Sequence, residues 1–435
     1  MGQVIYILAI LIIPVLVAYK AGGKQQGVSF AVIILTFGII FLLLLVPLNV
    51  AMPFGSGGDD VYYYRASLIR LSGITDWVDF SQFPQYEQAG FALLLTWIGQ
   101  ITGDSLYHRK AINVLFYLLL AITWFKIGKI VIGERQAKLF GLFILLALPL
   151  WYHWIFLLKD MVIIYLQSLF LSSLVYLLFT NVKHVSTYIK MVIVTLLLIP
   201  FRVQLVAVNA LLFLVAGNLQ LFTPLSSKTR KFILVITVIL FFLFLDMLLE
   251  VDFIETMGAR GRLRSYDIQT IILITEHSGI LLVERSIGSY ILMPLNFIVI
   301  TLNGFWNILT PPIAKSIVAY KEHEHVFGLL CIPWALYGAP LAIAGILMSM
   351  RFKIKKAMNT DAVNYWIPMY VFTILYFVIY ILVQSSRWIM PVYPVLVALS
   401  CYGWIKMQAS KKIMFLSGSG ALMLIMILML FLRSR

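Results

Sequence analysis

Residues 126–183 read KIGKIVIGERQAKLFGLFILLALPLWYHWIFLLKDMVIIYLQSLFLSSLVYLLFTNVK. Two apolar runs, 139–157 and 161–181, each come close to the roughly 20 residues that carry a helix across the hydrocarbon core of a bilayer. A two-charge junction, Lys159-Asp160, joins them. Lys126, Lys129, Arg135 and Lys138 precede the pair, and Lys183 and Lys190 follow it. Short loops rich in Lys and Arg stay on the cytoplasmic side of a membrane. The stretch therefore predicts a transmembrane hairpin whose basic ends lie inside and whose Lys159-Asp160 tip faces out.

The same alternation extends along the chain. Further short basic loops hold Lys20 and Lys24; Lys228, Arg230 and Lys231; Arg351, Lys353, Lys355 and Lys356; and Lys406, Lys411 and Lys412. Together the six loops carry 18 of the 33 Lys and Arg but only two acids, Glu134 and Asp361. With 62% hydrophobic residues and a mean hydropathy of +0.98, the 435-residue chain is too apolar for a soluble globule, which is about 45–50% apolar. Apolar runs near 3–19, 29–51, 111–125, 139–157, 161–181, 187–201, 203–222, 232–249, 326–350, 365–384, 388–406 and 413–432 predict an all-α polytopic membrane protein. It would have about twelve transmembrane helices in a single integral domain, 1–435. Residues 1–17 lack a basic n-region and a small-residue cleavage site, so they read as a retained first span. The net charge of +15 is spread one loop at a time. It marks orientation beside anionic headgroups rather than a nucleic-acid surface. Cys331 and Cys401 both fall inside apolar spans, so no disulfide framework is implied.

Two long stretches then face outward. The first, 52–110, contains an acidic site and the segment 89–103 (AGFALLLTWIGQITG). That segment is too short to cross, and crossing would put the later basic loops outside. It is expected to lie as a helix at the outer interface. The second, 250–325, contains an apolar segment at 287–309, which either dips in and returns or pairs with 268–283 to cross twice.

The candidate chemistry sits at the outer ends of spans. Asp59-Asp60 follows Gly55 to Gly58 and precedes Tyr62-Tyr63-Tyr64. A carboxylate there would act as a general base on an acceptor hydroxyl or as a ligand for a divalent cation, the one candidate cofactor. A solvated turn is the plain alternative. Lys159-Asp160 abuts hydrocarbon, where charges are costly and tend to be paired or functional. A helix-start Asp beside a snorkelling Lys is the other account. Arg202 and Gln204 in IPFRVQ, and Arg387 in QSSRW, lie at outer boundaries against the orientation rule. Guanidinium groups grip phosphate in a bidentate way, so Lys159, Arg202 and Arg387 together would cradle a lipid diphosphate. Separate headgroup contacts are the alternative. Asp160 and Arg65 complete the candidate substrate-binding set. His323 and His325 in KEHEH have no companions that would complete a metal set, so the motif reads as a polar cap. No nucleotide-binding loop is present, so any donor must arrive ready-made, most simply on a lipid carrier.

From Tyr86 to Leu178 the chain carries Tyr-Glu-Gln-Ala-Gly-Phe, Arg109-Lys110-Ala-Ile-Asn113, Gly128-Lys129, Gly133-Glu-Arg-Gln-Ala137, Leu148-Pro149 and Leu-Leu-Lys159-Asp160. Later comes Ser386-Arg387-Trp-Ile-Met-Pro391-Val-Tyr-Pro394. This arrangement resembles the membrane glycosyltransferases of the GT-C fold, including lipid-carrier-dependent sugar transferases and polysaccharide repeat-unit polymerases. The resemblance covers about a third of the chain. An extra N-terminal span and the lack of a large C-terminal soluble domain depart from the pattern. The resemblance implies catalysis by Asp59 or Asp60 on the outer face of the cytoplasmic membrane. It also implies a polyprenyl-linked sugar donor and a saccharide or lipid acceptor. A flippase or transporter for lipid-linked saccharide is the competing class. It calls for charges at mid-membrane depth, broken helices and two similar halves, whereas the charges here gather at span ends.

Overall fold

The computed structural model describes residues 2–54, 59–71, 86–180, 185–202, 204–218, 331–356, 366–380 and 390–433. The second long stretch, 250–325, the basic loop at 228–231 and Arg387 lie outside the described residues. Within them the chain is all-helical. Five helices are long and apolar enough to cross a membrane, and a bent pair makes up to six. The protein is a multi-pass helical membrane protein.

The first two helices, α1 (Gly2–Gly23) and α2 (Gln26–Ala51), form a tight antiparallel hairpin. Gly23 turns the chain at φ 62°, ψ −166°, a region that costs glycine little and other residues much. Next come α3 (Asp59–Leu71), α4 (Tyr86–Thr102) and α5 (Leu106–Val131). Helix α5 lies antiparallel to α2. The Tyr107 hydroxyl donates to Leu42 O at one end (3.3 Å), Phe30 stacks on Phe125 at a centroid distance of 4.2 Å, and Lys129 Nζ reaches Ala21 O at the other (3.3 Å). The turn after α1 and the loop after α5 therefore share one end, the basic end. Gln26 Nε2 ties them by donating to Glu134 O, and Lys138 Nζ donates to Ser29 Oγ.

The apolar run 139–157 forms two helices, α6 (Ala137–Leu145) and α7 (Leu148–Ile155), bent by 57°. Pro149 in the first turn of α7 suits a helix start, where its missing N–H leaves no orphan. This pair returns the chain to the far end. Helix α8 (Asp160–Phe179) runs back to the basic end, α9 (Val185–Leu198) rises again, and α10 (Gln204–Asn218) descends. After a π-helical turn at Trp334–Gly338 come α11 (Ala339–Lys356), α12 (Ile367–Tyr380), α13 (Tyr393–Lys406) and α14 (Ala409–Arg433). Trp366 packs on both Phe140 and Tyr402, which brings the end of α13 to the basic end. The described basic loops thus gather on one side of the bundle, as the charge pattern predicts.

Small and polar residues, rather than burial from water, hold such helices together. Trp124 Nε1 donates to Ser168 Oγ between α5 and α8 (3.1 Å), and the Tyr117 hydroxyl donates to Ile144 O. A second seam joins α8, α9 and α10: Gln167 Nε2 donates to Asn209 Oδ1 at 2.7 Å, and Asn209 Nδ2 to Thr195 Oγ1 at 3.3 Å.

Helix α4 is placed differently from the others. Gln3 Nε2, at the start of α1, donates to Thr102 O at its last turn (2.8 Å). Gly90 N, near its first turn, donates to Pro200 O beyond the end of α9 (3.3 Å). Both partners belong to the far end of the bundle, so α4 lies across that end. Phe91, Leu95 and Ile98 are buried on one face, while Trp97 and Ile101 are about half exposed at 50% and 58%. That i, i+4, i+7 stripe is the mark of an amphipathic helix.

Candidate functional site

Among the described residues, the charged side chains buried at the far end come from five elements. Asp60 opens α3 beside Asp59 and is fully buried. Its Oδ1 accepts from Val61 N at 3.0 Å, and a carboxylate in a first turn also suits the helix dipole. The Gly-Gly-Asp-Asp sequence, a good turn by local chemistry, thus leads straight into a helix. Consecutive helical residues point about 100° apart, so the three tyrosines face different directions. Tyr63 is buried edge-on against Phe91 of α4 (5.1 Å), and Tyr64 turns to the first residues of α5. Arg65 is exposed on the face of α3 opposite Asp60, Tyr63 and Ser67, and is not brought to the cluster.

Ser105 caps α5, its side chain accepting from His108 N. The next turn presents two buried cations, Arg109 and Lys110. Lys110 Nζ donates to Met52 O at 3.2 Å and lies 5.9 Å from the Phe156 ring. Asp60 exerts a favourable electrostatic pull on it. Arg109 faces the other way. It pairs with Asp104 at 3.1 Å, stacks 5.0 Å from the Tyr64 ring, and occupies the space that a Cβ on Gly99 would fill. Tyr64 donates to the same Asp104 oxygen at 2.6 Å. Burial, and after it this bond to a carboxylate, hold the Tyr64 hydroxyl above the ordinary tyrosine range.

One turn below Lys110, Asn113 organises the tip of the hairpin. Its amide nitrogen lies within hydrogen-bond distance of the carbonyls of His153 (3.2 Å), Phe156 (2.9 Å) and Leu158 (3.2 Å). The His153 carbonyl is in the last turn of α7, where carbonyls lack helical partners, and the other two belong to the junction beyond it. The anchored junction presents His153, Lys159 and Asp160, all buried. Arg202, after α9, donates from Nη2 to Asp160 Oδ1 at 3.0 Å, and its Nη1 lies 3.4 Å from the Tyr376 hydroxyl of α12. His153 Nδ1 approaches the other carboxylate oxygen at 3.9 Å.

Lys159, Asp160 and Arg202 therefore converge at one depth, and Arg387, the third member of the expected cradle, lies outside the described residues. Arg202, however, is bonded to Asp160. Gln204 is the first residue of α10, two positions after Arg202. Through Lys110 and Phe156 the Asp60 site abuts the Asp160 site. Sequence reasoning did not select Lys110 or His153 for the site. The available signal was a polar side chain inside or at the edge of an apolar run, which a membrane interior tolerates only for a reason. Among the described residues no three His, Cys, Asp or Glu side chains gather as a metal site. Compared with protein-family models, with curated proteins and with solved structures, the chain matches none.

Proposed function

We propose that this protein is a membrane glycosyltransferase of the GT-C kind, moving a sugar from a polyprenyl-linked donor on the outer face of the cytoplasmic membrane. It would have about twelve spans, with α4 at the outer interface. One observation carries the reading: Asp60, Lys110, His153, Lys159, Asp160 and Arg202 are buried together at the end of the bundle that α4 crosses. Buried ionisable groups in a membrane protein are costly and mark function.

In this reading the carrier tail lies among the helices and its phosphate faces Lys110 and Lys159. Asp60 takes the proton from the acceptor hydroxyl. The acceptor oxygen then bonds to the anomeric carbon as the bond from that carbon to the phosphate oxygen breaks. The polyprenyl phosphate leaves, its charge met by the cations, while Asp160 and Tyr376 hold Arg202 in place. A divalent cation, the alternative use of this carboxylate pair, would take Asp59 or Asp60 as a ligand. A repeat-unit polymerase would use the same cations on a diphosphate and depend less on Asp60. The transporter reading draws on the 57° break between α6 and α7, since broken helices line transport sites.

The deciding experiment supplies proteoliposomes with radiolabelled polyprenyl-linked sugars and measures transfer to lipid and saccharide acceptors, with and without EDTA. Transfer that Asp60→Asn abolishes supports the enzyme. Movement of lipid-linked saccharide between leaflets without transfer, by well-folded protein, assigns it to the transporters.

A further inference from the structure

The bend between α6 and α7 has a cause in the sequence. Pro149 carries no N–H, so the Leu145 carbonyl, four residues back, loses the donor that a continuous helix would give it. Within a membrane a freed carbonyl needs another partner. Two side chains supply donors at the break. Trp151 Nε1 donates to Leu145 O at 3.0 Å, its ring set edge-on against Phe41 of α2 at 5.5 Å. From α5 the buried Tyr117 hydroxyl donates to Ile144 O, which also accepts from Ala147 N at 3.1 Å. One turn from Tyr117, on the same face of α5, Asn113 holds the other end of α7 through the His153 carbonyl at 3.2 Å. Helix α7 is thus gripped at both ends by one face of α5. It carries His153, whose Nδ1 lies 3.9 Å from Asp160 Oδ2.

We propose that Tyr117 and Trp151 are positioning residues of the far-end site. By capping the carbonyls at the break they hold α7 at 57° to α6, and that angle places His153 and the Lys159-Asp160 junction against Arg202. Each acts on substrate only through the direction of α7. A site needs such fixed support, because a displacement of about 1 Å can cost on the order of a hundredfold in rate. Their effect on turnover rests on the transferase reading, whereas their effect on His153 does not.

The test pairs donor turnover in proteoliposomes with the His153 imidazole signal in isotope-labelled histidine NMR of the whole protein in detergent, assigned by its loss in His153→Gln. Tyr117→Phe and Trp151→Phe keep an aromatic ring and remove the donor. Each should shift the His153 signal and lower kcat roughly tenfold or more, with little change in donor KM. Pro149→Ala returns a backbone donor to Leu145 O and lets the helix run straight. It should move the same signal and lower kcat while the melting temperature holds or rises, a combination that a merely structural role does not give. Ser168→Ala, which breaks the Trp124 bond between α5 and α8, should lower the melting temperature yet leave the signal and kcat unchanged. An unmoved His153 signal with wild-type kcat in Tyr117→Phe and Pro149→Ala overturns the positioning role. If wild type shows no turnover at all, the transferase reading fails and the His153 signal alone decides: its displacement in both variants supports the assignment, and its constancy overturns it.

Discussion

Asp160 and Arg202 pair at 3.0 Å across a sequence separation of 42 residues, and Gln167 and Asn209 repeat that separation seven residues further on. The constant offset means that α8 and α10 run side by side in the same direction, with polar rungs spaced one heptad apart. Seven residues are about two helical turns, so one seam faces the partner at both levels. The upper rung is charged and lies at the candidate site. The lower is neutral and lies deeper in the bundle. That gradient fits a membrane, where an amide pair is tolerated at a depth that an ion pair is not.

Removing one partner of the upper rung leaves a buried charge uncompensated, which typically costs about 3–5 kcal/mol. Arg202→Ala should lower the melting temperature in detergent sharply. Gln167→Leu should cost only about 1 kcal/mol, since interhelical hydrogen bonds in membranes are worth roughly that. Arg202→Lys keeps the charge but loses the two-nitrogen reach to Asp160 and Tyr376, so its stability should fall between wild type and Arg202→Ala. Equal losses for Arg202→Ala and Gln167→Leu would mean that the ion pair has no special weight.

Asp60 and Lys110 allow structure and chemistry to be separated. Asp60→Asn leaves the buried Lys110 without its counter-charge, so stability and transfer should both fall. Adding Lys110→Met removes that charge and should restore much of the stability, a coupling that a double-mutant cycle reads directly. Transfer should stay absent in the double variant. Recovery of transfer together with stability would show that Asp60 serves the fold and is not the base.

How far the sequence reveals this arrangement depends on the range of the physics involved. The grouping of Lys20, Lys126, Lys138 and Lys406 at one end is legible because it needs only span length and loop charge, both local properties. That Lys159, Asp160 and Arg202 share a depth follows by the same counting. The start of α3 at Asp59 is not legible, because Gly-Gly-Asp-Asp favours a turn locally. The packing of Tyr63 on Phe91, 28 positions away, holds a helix there instead. The role of Asn113 is hidden for the same reason, since its three carbonyl partners lie 40 to 45 residues along the chain.

Tyr64 gives a pH signature. Its hydroxyl is held protonated by burial and by Asp104, so its folded-state pKa lies above the unfolded value of about 10. The contribution is fully present below pH 10 and is lost as pH rises through the folded value. Melting temperature should therefore decline more steeply above pH 10 in wild type than in Tyr64→Phe, which has no proton to lose. Asp104→Asn should shrink the same difference. Identical alkaline profiles for wild type and Tyr64→Phe would sever the link.

Orientation is tested by labelling, because the bundle has two chemically distinct ends. Arg65 on α3 and Lys411 on α14 are both exposed and belong to opposite ends. Both native cysteines are free and buried. Replacing Cys331 and Cys401 with Ala gives a silent background into which Arg65→Cys or Lys411→Cys is introduced singly. The basic loops should be retained inside, so a membrane-impermeant maleimide added to intact cells should label the cysteine at 65. The cysteine at 411 should react only after the cells are permeabilised. The reverse pattern would place the Asp60 and Asp160 cluster in the cytoplasm. It would remove the reason for a donor that arrives ready-made on a lipid carrier, and nucleotide-linked sugars would become the natural substrates to test.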